Sequence, residues 1–181
     1  MTHHILLHSG KYHDLRTVCA ETQEYRIEDI AHALSHICRF TGHTRWFYSV
    51  AQHSVHVAEL VPPEYRLEAL MHDASEAYLG DVSSPLKAML PDYHAIEKVV
   101  EMRIAAKFGL PLKQTPAVKI ADMRMLVTER RDLLPTGEPG YVWPMFEPAP
   151  WRIDPWPSEF AKQKFAERFI QYSKERAQHV R

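Results

Sequence analysis

Ionisable side chains interrupt the apolar stripes of three predicted helices: His53 on one, His72-Asp73 and Glu76 on a second, Asp122 on a third. An imidazole or carboxylate on a core-facing stripe is expensive unless it is paired or metal-bound. The chain is therefore constrained to pack these stripes against one another around a shared counter-charge, as helical bundles do when they build metal centres. Two imidazoles and two carboxylates make a mixed nitrogen and oxygen set that can hold one divalent cation and leave positions for water and a phosphate. The segment His72-Asp73-Ala74-Ser75-Glu76-Ala77-Tyr78-Leu79-Gly80-Asp81 adds candidate acid–base groups beside the ligands. The pattern predicts a metal-dependent phosphohydrolase.

The rest of the chain reads as helix. Ile27, Ile30, Ala31, Leu34, Ile37 and Cys38 recur at three- and four-residue steps, the spacing of one helical stripe. Ser49 is an N-cap residue for a helix carrying Val50, His53, Val57, Leu60 and Val61, which Pro62-Pro63 ends. A helix over about 64–78 places Leu67, Leu70, Met71, Ala74 and Ala77 inward, with Gly80 as its C-terminal cap. On that helix His72 and Glu76 stand at i and i+4, and Asp73 and Glu76 at i and i+3, so all share a face. A short helix near 86–90 follows. A longer one over about 92–108 uses Ile96, Val99, Val100 and Ile104 as its stripe, and Thr115-Pro116 opens the helix that carries Asp122. Ser-Gly at 9–10 predicts a small hairpin over 4–16. Residues 135–157 hold seven prolines and three of the four tryptophans, an ordered loop rather than a linker. Ser158 caps a last helix to about 178, with Phe160, Phe165 and Phe169 for docking. The expectation is a single all-α domain over 1–181, a helical bundle with a small N-terminal β-hairpin.

Composition excludes several classes. A formal net charge of −1 on 181 residues gives no field for nucleic acid or an anionic membrane. No apolar run approaches a membrane span, and the first eight residues do not resemble a signal peptide. Cys19 and Cys38 are not in a CxxC pair, so the expected setting is a reducing cytoplasm. Of the twelve histidines, His56 lies one turn beyond His53, but four ligands already complete the set.

The H…HD…D pattern of His53, His72-Asp73 and Asp122 resembles the HD-domain phosphohydrolase superfamily. The segments Ile30-Ala31-His32-Ala33-Leu34-Ser35-His36-Ile37-Cys38-Arg39-Phe40, Tyr48-Ser49-Val50-Ala51-Gln52-His53-Ser54 and Pro85-Leu86-Lys87 extend that likeness to its small nucleotidases, over about residues 27–130. These include the bacterial 5′-deoxynucleotidases and the phage dATP triphosphohydrolases. The resemblance implies that the four ligands hold one divalent ion (Co, Mn, Ni, Mg or Zn), that Glu76 orients or activates the attacking water, and that Asp81 assists proton transfer. It further implies that Arg39, Lys87 and Lys119 contact phosphates, that Phe40 lines the sugar or base, and that Gly42 and Pro85 border the base pocket. A guanidinium fork and ammonium point charges suit phosphoryl oxygens.

The resulting expectation is hydrolysis of a deoxynucleotide, a dNTP giving nucleoside and triphosphate. The same chemistry on a dNMP would make a 5′-deoxynucleotidase. A non-catalytic nucleotide sensor is the alternative of a different class. Two-metal cyclic-nucleotide phosphodiesterase chemistry needs further histidines, for which His56 is a poor candidate. The implied partner is a small nucleotide, and family members often form homo-oligomers.

Overall fold

Ser9-Gly10 turns the chain back on itself, and Gly10 supplies a φ of 79° that a Cβ would resist. Strand β1 (His4–Leu6) thereby pairs antiparallel with β2 (Tyr12–Asp14), His4 opposite Asp14 and Leu6 opposite Tyr12. The computed structural model describes residues 3–15, 24–140 and 142–179. The end of the expected hairpin at residue 16 and Cys19 lie outside the described residues, and Cys38 is a free thiol. Ser9 ties the hairpin to helix α1 (Ile27–His36), its N–H and hydroxyl donating to the Asp29 carboxylate at 2.7 and 2.9 Å.

Helix α2 (Val50–Glu59) starts as its sequence requires, Ser49 Oγ accepting from the Gln52 N–H at 3.2 Å. Residues Val50 through Ala58 are all buried, so α2 is the axis of the bundle. Around it stand α1, α3 (Arg66–Met71), α7 (Pro116–Asp132) and α8 (Ser158–His179). The core gathers Ile30 and Leu34 from α1, Leu70 from α3, Met125 from α7 and Phe165 from α8. Phe169 packs at its border, while Phe160 stays exposed. The Ala161 N–H bonds the Pro157 carbonyl at 3.0 Å, which puts Ser158 inside the first turn of α8 rather than at its cap.

The expected helix over 64–78 is divided. A 3-10 turn (Pro63–Tyr65) leads into α3, and α4 (Glu76–Leu79) follows only after residues 72–75. Between them the ladder tightens to i→i+3: Ala74 N–H bonds Met71 O at 3.0 Å, and Glu76 N–H bonds Asp73 O at 3.0 Å. At three residues per turn, i and i+3 eclipse. Asp73 and Glu76 therefore stand together, as their spacing of three predicts. Gly80 ends α4 with a φ of 80°, its N–H on the Glu76 carbonyl at 2.8 Å.

Helix α5 (Ser84–Lys87) begins two residues before the expected one, and α6 (Pro91–Phe108) stops at Gly109 in the left-handed region. Of the expected α6 stripe, Val100 and Ile104 are buried, while Ile96 is exposed. The first half of α6 packs on the short α5, where buried Glu97 bonds Lys87, and Tyr93 donates to the Gly80 carbonyl at 3.4 Å. Thr115 precedes α7, its N–H and hydroxyl donating to Glu68 at 2.7 and 3.1 Å. In the Trp/Pro-rich loop, Ala149 and Ile153 are buried. Gln52 pins this stretch, donating to Asp154 O at 2.7 Å and accepting from the Trp156 N–H at 2.9 Å. Among the described residues no helix is long and apolar enough to cross a membrane.

Candidate metal centre and adjoining cleft

The interruption after α3 aims the His-Asp pair at α2 and α7. His53 Nε2 lies 3.4 Å from His72 Nε2, 3.3 Å from Asp122 Oδ1 and 3.6 Å from Asp73 Oδ2. His72 Nε2 is 3.2 Å from Asp73 Oδ2 and 3.9 Å from Asp122 Oδ1. Donors bound at ~2.1 Å to one ion stand ~3.0 to 3.4 Å apart at right-angle to tetrahedral positions. The His53, His72 and Asp122 group could hold a metal ion, and Asp73 borders it.

The second ring nitrogens support that fit. His53 Nδ1 lies 2.6 Å from Glu129 Oε1, and His72 Nδ1 lies 2.7 Å from the Ala69 carbonyl. Both partners are acceptors, so both Nδ1 atoms donate and both Nε2 atoms face the cluster. Burial and Arg39 oppose charging His53, yet Glu129 and Asp122 prevail and raise its pKa to about 9. Burial likewise opposes ionisation of Asp73 and Asp122, but the histidines hold Asp73 well below the usual carboxylate range and lower Asp122 as well. Four ionisable groups thus converge where a proton or a cation is required, and metal binding would release the proton.

Glu76 stands beside the cluster with Oε2 buried and, among the described residues, without a hydrogen-bond partner. Burial first, then Asp73 and Asp81, push its pKa up to about 10. Burial also raises Asp81. Both acids line a cleft of about 470 Å³ that opens over Asp73 and Asp122, within the size range of small-ligand sites. On the far side Asp73 and Asp122, with His72, also border a smaller cleft of about 230 Å³, lined by Met71, Ile104 and Gln114.

A left-handed turn places Arg39 in the larger cleft. Phe40 and Thr41 both have φ of 53°, and Gly42 follows at 80°. For a residue with a Cβ this conformation costs roughly 1–2 kcal/mol, and such strain gathers at functional sites. The base of the loop is clamped, Arg39 N–H bonding Tyr48 O at 3.0 Å beside the Cys38–Ser49 bridge. The Arg39 guanidinium reaches Glu129 at 3.2 Å and Asp73 at 3.5 Å, 5.4 Å from the Phe40 ring centre.

Of the substrate residues expected from sequence, Arg39, Phe40, Pro85 and Lys87 line this cleft. Lys87 is held by Glu97 at 2.6 Å. Gly42 and Lys119 are not in its lining: Gly42 shapes the turn, and Lys119 is exposed on α7. His56 faces away, between Glu59 at 3.2 Å and the Trp156 ring at 5.0 Å. The cleft also has walls that sequence reasoning missed, Met123 and Leu126 from α7 and Trp143 from the Pro-rich loop. Glu129 was missed as well. Its one signal is a spacing of seven from Asp122, two turns along the same face of α7.

No family model matches the chain. Over 147 residues it is 48% identical to the uncharacterized protein YfdR of Escherichia coli (strain K12), covering 79% of this chain and 82% of that one. An uncharacterized protein of Rhodobacter capsulatus is 37% identical over 108 residues, 54% of this chain and 55% of that one. With nearly half its aligned residues shared along most of both lengths, the chain belongs to the family of Escherichia coli YfdR.

Proposed function

We propose that this protein is a divalent-metal-dependent phosphohydrolase of the HD-domain type, acting on deoxynucleotides and releasing nucleoside and triphosphate from a dNTP. The observation that carries it is the convergence of His53 and His72 with Asp73 and Asp122, the two carboxylates lining a nucleotide-sized cleft that Arg39 also lines. The deoxynucleotide class rests on the sequence resemblance.

A divalent ion held by His53, His72, Asp73 and Asp122 would polarise a phosphoryl oxygen and a water, drawing the water's pKa toward neutrality. Phosphoryl transfer asks the protein for position and positive charge more than for covalent chemistry. Arg39 supplies a fork whose geometry Glu129 and Asp73 fix before substrate arrives. Glu76 accepts the proton of the attacking water, a role that requires its carboxylate form. Positive charge at the ligand cluster brings Glu76 down from its raised pKa toward that form. Asp81, across the same cleft, returns a proton to the leaving nucleoside oxygen. Phe40 and Trp143 offer faces for sugar or base.

A second reading, a 5′-deoxynucleotidase acting on dNMPs, is favoured by the engagement of Lys87 with Glu97 and the exposure of Lys119 outside the cleft. Both narrow the supply of free cations for a long phosphate chain. The deciding experiment incubates the protein with Mn or Co and a panel of dNTPs, NTPs and dNMPs, resolving products by ion exchange. Nucleoside with intact triphosphate establishes the first reading, and turnover of dNMPs alone establishes the second. No turnover with any metal refutes both and leaves a nucleotide-sensing module. Asp73→Ala and Glu76→Ala must each abolish activity.

A further inference from the structure

We propose that Glu129 is a positioning residue that organises both halves of the site at once. Its side chain is fully buried, and its two carboxylate oxygens part ways. Oε1 takes the Nδ1–H of His53 at 2.6 Å, and Oε2 takes the guanidinium of Arg39 at 3.2 Å. The first contact fixes the ring of a metal ligand so that Nε2 points to the cluster. The second holds the phosphate-facing arginine against the left-handed turn that carries it. One carboxylate thus ties the metal centre to the phosphate cleft across α2, α7 and the loop after α1.

The geometry of these contacts separates the roles. A glutamine in place of Glu129 retains an oxygen able to accept from His53 but presents its amide to Arg39, where a second donor repels the guanidinium. Shortening to aspartate keeps the charge and withdraws both oxygens by about one bond length. Partners of metal-binding histidines are worth roughly 10–100-fold in metal affinity.

The inference rests on the metal-centre reading above. The test measures Co(II) binding by calorimetry and by its visible absorption, and tripolyphosphate binding at saturating Co(II), for wild type, Glu129→Gln and Glu129→Asp. Glu129→Asp is expected to weaken Co(II) binding roughly 10-fold or more and to alter the absorption spectrum. Glu129→Gln is expected to weaken tripolyphosphate binding at saturating metal, with a smaller loss of metal affinity. A cluster of wild-type affinity and spectrum in both variants, or unchanged tripolyphosphate binding in both, overturns the double role. Should neither variant fold, nitrogen-15 spectra of histidine-labelled wild type loaded with Zn(II) decide. A His53 bound through Nε2 with a slowly exchanging Nδ1 proton supports the inference, and metal on Nδ1 overturns it. Failure of wild type to bind Co(II) or Zn(II) at all refutes the metal-centre reading itself, a result distinct from unchanged variants.

Discussion

Replacing Asp122 by asparagine isolates the metal centre from the fold. The change conserves volume and removes one charge from a side chain whose Oδ1 lies 3.3 Å from His53 Nε2 and 3.9 Å from His72 Nε2. Without metal two effects oppose each other. The contact with His53 weakens, and the repulsion between Asp122 and Asp73 disappears. The bare variant should therefore unfold within ~1 kcal/mol of wild type, the scale of a partly exposed ion pair. With metal the two diverge. Free metal at 100 times the dissociation constant stabilises a one-site protein by ~2.7 kcal/mol. A chain of 181 residues has an unfolding entropy of ~0.4 kcal/mol/K, so wild type should gain ~7 °C. If loss of one ligand weakens binding ~100-fold, the same metal concentration contributes only ~0.4 kcal/mol, or ~1 °C, to the variant. Calorimetric scans against Mn(II) in phosphate-free buffer read both numbers. An Asp122→Asn protein with the full wild-type shift at the same metal concentration would refute the assignment of Asp122 as a ligand. A wild type that no divalent ion stabilises would refute the centre.

Two further outcomes follow from strain and burial elsewhere. Thr41 sits at φ 53°, a penalty of roughly 1–2 kcal/mol that Thr41→Gly removes at an entropic cost of roughly 0.5–1 kcal/mol. The variant should be up to ~1 kcal/mol more stable in urea, and a clear loss of stability would contradict the strained turn. His13, 2% exposed between the Tyr25 and Tyr78 rings, has its pKa lowered by burial and by Arg103, against the pull of Asp14. A depressed histidine binds its proton more weakly when folded. Its contribution is therefore complete above the unfolded pKa of about 6.5 and falls as pH drops through that value. His53 and His72, raised on folding, act in the opposite direction in both proteins, so urea midpoints from pH 8 to 5 should fall more, or rise less, in wild type than in His13→Phe, and parallel profiles would remove His13 as a cause.

The sequence by itself determined the local elements and the ligand types. Ser49, Pro116, Gly80 and Gly109 act through backbone chemistry within a few residues of themselves, so they mark helix ends wherever the helices pack. The stripe of apolar residues located the core face of α1, because burial there follows helical period, whereas α2 is buried all round. Charged groups on those stripes pointed to a cation for the same reason. What tertiary structure alone decided is everything that depends on distance between separate elements. The tightened turn at 72–75 divided the expected helix into α3 and α4, a change of local winding that no periodicity of 3.6 reveals. Ile96 is exposed because the first half of α6 lacks a neighbouring long helix, although its spacing is that of a core residue. Lys87 found Glu97, and Lys119 was left outside the cleft. Glu129 belongs to no motif, since its two partners, His53 and Arg39, stand 76 and 90 residues away in the chain. Such an alignment exists only once α7 has packed against α2.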